Sequence, residues 1–136
     1  METLTDAGPL VALVDQGQAQ HTACVEALSD VSMPLLTTLP CFTEAMYLLG
    51  VRAGTKAQAQ LWKMFNLARL QVHSTSDDEI KRMQSLMNKY GDVPMSLADA
   101  SLVATAETRQ LRRIFTLDSD FRVYRANDKE PFEVVP

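Results

Sequence analysis

Thr3-Leu-Thr-Asp6-Ala-Gly-Pro9-Leu-Val-Ala-Leu-Val14 is the stretch that decides the architecture. Thr3 to Thr5 reads as a short strand running into Asp6, although only Leu4 in it is strongly apolar. Gly8-Pro9 then opens a helix through Val14, since proline costs nothing in a first helical turn that has no partner for its N–H. A strand that ends on an acid and passes straight into a helix is the unit from which alternating α/β domains are built.

The same unit recurs outward along the chain. After a helix over about His21 to Leu28, Pro34 to Thr37 reads as a strand. Pro40 starts the next helix, in which Phe42, Ala45, Met46 and Leu49 follow the i, i+3, i+4, i+7 spacing of an apolar face, and Gly50 or Gly54 ends it. Thr55 to Ala68 is helical, with Leu61, Met64, Phe65 and Ala68 on one side, and Leu70 to His73 is a strand. Ser76 or Asp77 caps a helix to Tyr90, with Gly91 as its stop. Ser96 to about Thr108 is a helix, Arg113 to Leu117 a strand and Phe132 to Val135 a last short strand. With no linker or repeat in view, residues 1–136 read as one domain. Its expected architecture is a three-layer α/β/α sandwich around a mostly parallel sheet of four to five strands.

In such sheets ligands bind beyond the carboxyl ends of the strands. Asp6 and Asp118 follow strands directly, and Glu44 and Asp99 lie in the first two turns of helices whose starts meet the same edge. Each acid also has an ordinary local use. Asp6 can cap its helix, and Glu44 sits near the positive end of a helix dipole. Ser96-Leu-Ala-Asp99 fits a capping box, and Asp118 can close an Asx turn. The joint placement is what points to chemistry. Two carboxylates about 4 Å apart repel by roughly 4 kcal/mol at an effective dielectric near 20. A gathered set must therefore bind a cation, take up protons or come apart. Oxygen-only ligation suits Mg²⁺ or Mn²⁺, so the chain reads as a metal-dependent hydrolase.

Composition fits that reading. The hydrophobic fraction is 46% and the formal charge is −4, from 13 basic and 17 acidic residues. That charge argues against a protein held on nucleic acid by general electrostatics without excluding a nuclease. Arg109, Arg112, Arg113, Arg122, Arg125 and Lys129 form a basic-leaning stretch interleaved with Glu107, Asp120, Asp128 and Glu130. Arg112, Arg113, Arg122 or Arg125 are candidates to bind a phosphate chain because they lie near Asp118 in sequence. Cys24 and Cys41 have no CxxC partner and are expected as buried free thiols, and His21 and His73 as structural or exposed side chains. No apolar run is long enough to cross a bilayer and no export signal is visible, so no membrane role and a cytoplasmic location are expected.

The local words around the acids carry a resemblance. Asp6-Ala-Gly-Pro-Leu-Val-Ala-Leu-Val-Asp15 resembles the opening motif of the PIN-domain family, and Thr43-Glu44 within Leu39-Pro-Cys-Phe-Thr-Glu-Ala resembles its second. Met95-Ser-Leu-Ala-Asp99-Ala-Ser-Leu-Val-Ala104 resembles the third, and Ile114-Phe-Thr116-Leu-Asp118-Ser-Asp-Phe121 the fourth. The four stand in family order over nearly the whole chain, which is most similar to the VapC-type toxin ribonucleases. The resemblance implies that Asp6, Glu44, Asp99 and Asp118 hold one or two Mg²⁺ or Mn²⁺ ions, that Thr116 orients a carboxylate or water, and that the substrate is RNA. Asp120 is a candidate extra outer ligand, and DxD spacing after a strand is equally a turn device.

It also implies a homodimer and a small antitoxin partner, for which the helix bearing Leu61, Trp62, Met64 and Phe65 is a candidate contact. Core packing with one partly exposed Trp62 is the plainer account of that helix. The departures from the family pattern are the polar lead-in Glu2-Thr3-Leu4-Thr5 and Ala7, which stands where many members carry a hydroxyl. A non-catalytic interaction module of the same fold and a housekeeping RNA-processing nuclease remain the alternative functions.

Overall fold

The computed structural model describes residues 2–136. Its centre is β1 (Thr3–Thr5), flanked by β2 (Leu35–Thr38) on one side and β4 (Arg113–Phe115) on the other. β3 (Leu70–His73) and β7 (Glu133–Val135) form the two edges, and all five strands run parallel in the order β3-β2-β1-β4-β7. The expected sheet is thus five-stranded and wholly parallel. A separate two-stranded antiparallel ribbon, β5 (Arg125–Ala126) with β6 (Glu130–Pro131), has no counterpart in the sequence reading. Two-residue strands are too short to show any periodicity.

Period-two alternation sorts the side chains of the sheet into two cores. Leu4, Leu36 and Ile114 are in register and face one way, toward Met83 and Leu86 of α5 (Asp77–Lys89) and Leu102, Val103 and Ala106 of α6 (Leu97–Arg109). Leu35, Leu70 and Phe115 face the other way. They meet α1 (Ala7–Val14), α2 (His21–Ala27), α3 (Leu39–Ala53) and α4 (Thr55–Asn66) through Leu10, Cys24, Phe42, Leu49 and Leu61. The result is the expected three layers.

Gly54, at φ +84°, ends α3, whereas Gly50 stays inside it. A Cβ on Gly50 would lie 2.3 Å from the Gln58 amide nitrogen, and that amide donates to the Met46 carbonyl at 3.1 Å. Gly50 is therefore a seat for α4. His73 is held by Glu79, which also completes a capping box with Ser76 at the start of α5. His21 contacts the Ala12 carbonyl, and both cysteines are buried and free.

The polar first strand is fully buried at the centre of the sheet. Threonine keeps the branched shape that suits a strand, and its hydroxyl needs a partner when buried. Thr5 donates to the Asp6 carbonyl at 3.1 Å, and Thr37 of β2 donates to the Thr5 carbonyl at 2.9 Å. The Thr3 hydroxyl has no partner among the described residues. Thr3→Val keeps the shape and removes that group, so we expect it to stabilise the protein by about 1 kcal/mol in urea unfolding. A loss of stability would contradict this account of the strand.

Candidate metal centre and active site

Parallel strands deliver their carboxyl ends to one edge, and three carboxylates meet there. Asp6, Asp99 and Asp118 each contribute an oxygen to a group whose atoms all lie within 4.8 Å of one another. These acids are 93 and 112 positions apart from Asp6 in sequence, and each reaches the group through its local cap. Asp6 is the N-cap of α1, with its Oδ1 accepting the Ala7 N–H at 2.7 Å. Ser96 caps α6 by accepting the Asp99 N–H at 3.0 Å, but the Asp99 carboxylate does not close the expected box. It turns instead to accept the Tyr124 hydroxyl at 2.9 Å. Asp118 caps the short 3-10 turn Ser119–Arg122, with its Oδ1 accepting the Asp120 N–H at 2.9 Å.

Thr116 links two of the three. Its hydroxyl donates to Asp6 Oδ2 at 3.0 Å and accepts the Asp118 N–H at 3.0 Å. Both oxygens of Asp6 are therefore engaged, although Ala7 supplies no side-chain hydroxyl. Cys41 sits behind the group, its Sγ 3.9 Å from Asp6 Oδ1 and 3.7 Å from the Ala98 carbonyl. Tyr124 has no part in the sequence reading, and Cys41 enters it only as a buried free thiol. Tyr124 is wholly buried, stacked edge-on between Tyr90 and Phe121, and only its hydroxyl reveals its part.

Glu44 and Asp120 line the same open cleft, of about 610 Å³, together with the three acids. Glu44 is exposed and stands outside the close group, so the structure gathers three of the four expected acids and leaves the fourth on the cleft wall. The arginines near Asp118 are mostly engaged elsewhere. Arg112 pairs with Glu130, Arg113 with Glu133, and Arg125 donates to the carbonyls of Arg122, Val123 and Tyr124.

The group is electrostatically unhappy without a cation. At 4.8 Å, two charges at an effective dielectric near 20 repel by roughly 3 kcal/mol. Burial, reinforced by the Asp6 charge, pushes the Asp99 carboxyl up to about 7. Burial also raises Asp6, against the hydrogen bonds from Ala7 and Thr116, and Asp118 adds to the rise. Burial and then Asp6 raise Glu44, and burial and then Asp118 raise Asp120. Burial drives the Cys41 thiol well above its usual range, and burial and Asp99 do the same for the Tyr124 phenol, so both remain protonated. An all-carboxylate donor set that resists ionisation is the chemistry a hard divalent cation fits.

Because Asp99 is raised in the folded state, ionising it opposes folding. Its penalty is absent below about pH 4, grows through the interval up to about pH 7, and reaches at most roughly 4 kcal/mol above it. In chelator, the protein should therefore melt higher at about pH 5.5 than at pH 8. Asp99→Asn should remove most of that slope and raise the melting temperature at the higher pH. Adding Mn²⁺ to the unsubstituted protein should restore stability there. Scanning calorimetry checks all three, and a destabilised Asn variant at pH 8 in chelator would contradict the electrostatic account.

Comparison with known proteins places this geometry in a family. The PIN domain model matches residues 3–127. Ribonuclease VapC26 of Mycobacterium tuberculosis (strain ATCC 25618 / H37Rv) is 25% identical over 134 residues, covering 98% of this chain and 99% of that protein. Among solved structures, Mycobacterium tuberculosis VapC20, a Sarcin-Ricin loop cleaving toxin, superposes with a TM-score of 0.82. It is 17% identical, over 89% of this chain and 93% of that one. A toxin-antitoxin complex from Klebsiella pneumoniae gives a TM-score of 0.70 at 23% identity, over 98% of this chain and 96% of that one. With its sheet order, its gathered acids and a family match over nearly its whole length, the chain belongs to the PIN-domain family.

Proposed function

We propose that the protein is a Mg²⁺- or Mn²⁺-dependent endoribonuclease and the toxin of a toxin–antitoxin pair, acting as a single cytoplasmic domain. The observation that carries the reading is the Asp6, Asp99 and Asp118 group at the carboxyl edge of the sheet. Support for the substrate and the biological setting comes from relatives named as a ribonuclease, a toxin and a toxin-antitoxin complex.

Asp6, Asp99 and Asp118 are the residues to hold the cation. Each carboxylate already accepts between one and three protein hydrogen bonds, which fixes its rotamer and leaves oxygen lone pairs for an ion. Thr116 and Tyr124 are positioning residues, acting through Asp6 and Asp99. A divalent ion held there by Asp6, Asp99 and Asp118 would supply Lewis-acid chemistry, making water a better nucleophile and offsetting charge on a phosphate oxygen. Glu44, on the cleft wall with its carboxyl raised, is placed to hold a water and to accept its proton. Asp120 also lines the cleft but is less exposed than Glu44.

For partners, α3 and α4 offer a surface. Leu61 of α4 is buried, while Trp62 and Phe65 are 48% and 41% exposed and pack around Phe42, Trp62 edge-on and Phe65 tilted. Tyr47 and Val51 on α3 are each 67% exposed. This apolar area is what a second copy or a small antitoxin would cover. No helix of the described residues is long and apolar enough to cross a membrane.

The test is incubation of the purified protein with defined RNAs and Mn²⁺. Asp6→Asn and Asp99→Asn should each lower cleavage by roughly 10²-fold or more, with folding confirmed by circular dichroism. Tyr124→Phe should lower it less, by about tenfold, and weaken Mn²⁺ binding in calorimetry. Undiminished cleavage by both acid variants would refute the assignment.

A further inference from the structure

We infer that Arg122 forms a phosphate-binding subsite in a second groove beside the acidic cleft, holding the RNA backbone next to the scissile bond. This rests on the nuclease reading above and adds to it the residue that positions the substrate.

The second groove has a volume of about 330 Å³ and shares Leu117, Asp118 and Ser119 with the cleft, so those three residues form a ridge between the two hollows. Arg122 is the only cationic side chain lining either of them among the described residues. Its guanidinium has neither an ion pair nor a hydrogen bond among the described residues, although it is exposed and every neighbouring arginine of the basic stretch is committed. Arg109 pairs with Glu2, Arg112 with Glu130 and Arg113 with Glu133, while Arg125 serves backbone carbonyls. Of the four arginines near Asp118, Arg122 is the one whose side chain makes no ion pair or hydrogen bond among the described residues, and it lines the groove.

The local fold holds it there. Asp118 caps the 3-10 turn Ser119–Arg122, and Phe121 of that turn is fully buried against Tyr124 and Phe132. With Phe121 anchored inward, the following residue is carried to the surface beside the ridge. An RNA strand whose reacting phosphate lies in the acidic cleft must place a flanking phosphate within one nucleotide step of it. A chain of net charge −4 with a carboxylate cluster repels that phosphate unless a cation meets it. A guanidinium offers forked donors that match phosphate oxygens.

The experiment measures affinity and turnover separately. A fluorescein-labelled single-stranded RNA of about 20 nucleotides is titrated against the protein in Ca²⁺, and cleavage of the same RNA is followed in Mn²⁺. Arg122→Gln is compared with Lys129→Gln, which removes the same charge from an exposed site outside both grooves. We expect Arg122→Gln to weaken binding about tenfold and to make the salt dependence shallower by about 0.7 in log–log slope, with the larger loss in KM than in kcat. Lys129→Gln should stay close to the unsubstituted protein. Equal affinity and salt slope for the two variants would overturn the subsite while leaving the nuclease reading standing. RNA that is bound but not cut would overturn the nuclease reading, and the affinity ratio would still decide the subsite. RNA that is not bound at all would overturn both.

Discussion

Three carboxylates brought to within 4.8 Å of one another are the constraint on which the rest of the structure turns. Like charges at that distance in a partly buried site cost several kcal/mol, and this cost must be offset by the surrounding fold. The framework answers with rigidity. Asp6 and Asp118 are fixed to β1 and β4, which are paired in register, and Thr116 ties the two together. Asp99 stands on a helix whose far end is tethered through the Arg109–Glu2 ion pair beside β1. Two hydrophobic cores, one on each face of the sheet, supply the stability that lets the edge carry unfavourable charge.

The ordinary and the chemical uses of these acids turn out to be the same use. Asp6 is an N-cap, Asp99 sits one turn inside a capped helix, and Asp118 caps a 3-10 turn. A capping interaction restricts the side-chain rotamer and aims its remaining lone pairs, which is what preorganising a metal ligand requires. Asp99 is the instructive exception. Its expected return bond to Ser96 is replaced by Tyr124, so the carboxylate is swung from the helix start toward the cleft. The aromatic cluster of Tyr90, Phe121, Tyr124 and Phe132 thus both builds the core and orients a site residue.

Much of the fold was legible because its cues are local. Pro9 in the first turn of α1, Gly54 after α3, Ser76 before α5 and the alternating apolar faces all act over a few residues. The polar first strand was the hardest element to read, since its fitness depends on partners in β2 and at Asp6, 32 residues and one residue away respectively. The choice of Gly54 over Gly50 as the end of α3 likewise waited on Gln58 of the next helix. The β5–β6 ribbon was invisible, because its strands are set by pairing and carry no pattern of their own.

By itself the amino-acid order determined the alternation of strands and helices, the acids at their junctions and the oxygen-rich chemistry those acids share. Each of these is a property of spacing and residue type. Only the tertiary structure decided that Asp6, Asp99 and Asp118 close together while Glu44 stays on the wall, that Tyr124 turns Asp99, and that Arg122, unlike the neighbouring arginines, is left without an ion pair or hydrogen bond among the described residues. Those outcomes depend on which distant groups become neighbours, and the strength of a charge or a hydrogen bond is set by neighbours and burial that no local stretch of chain contains.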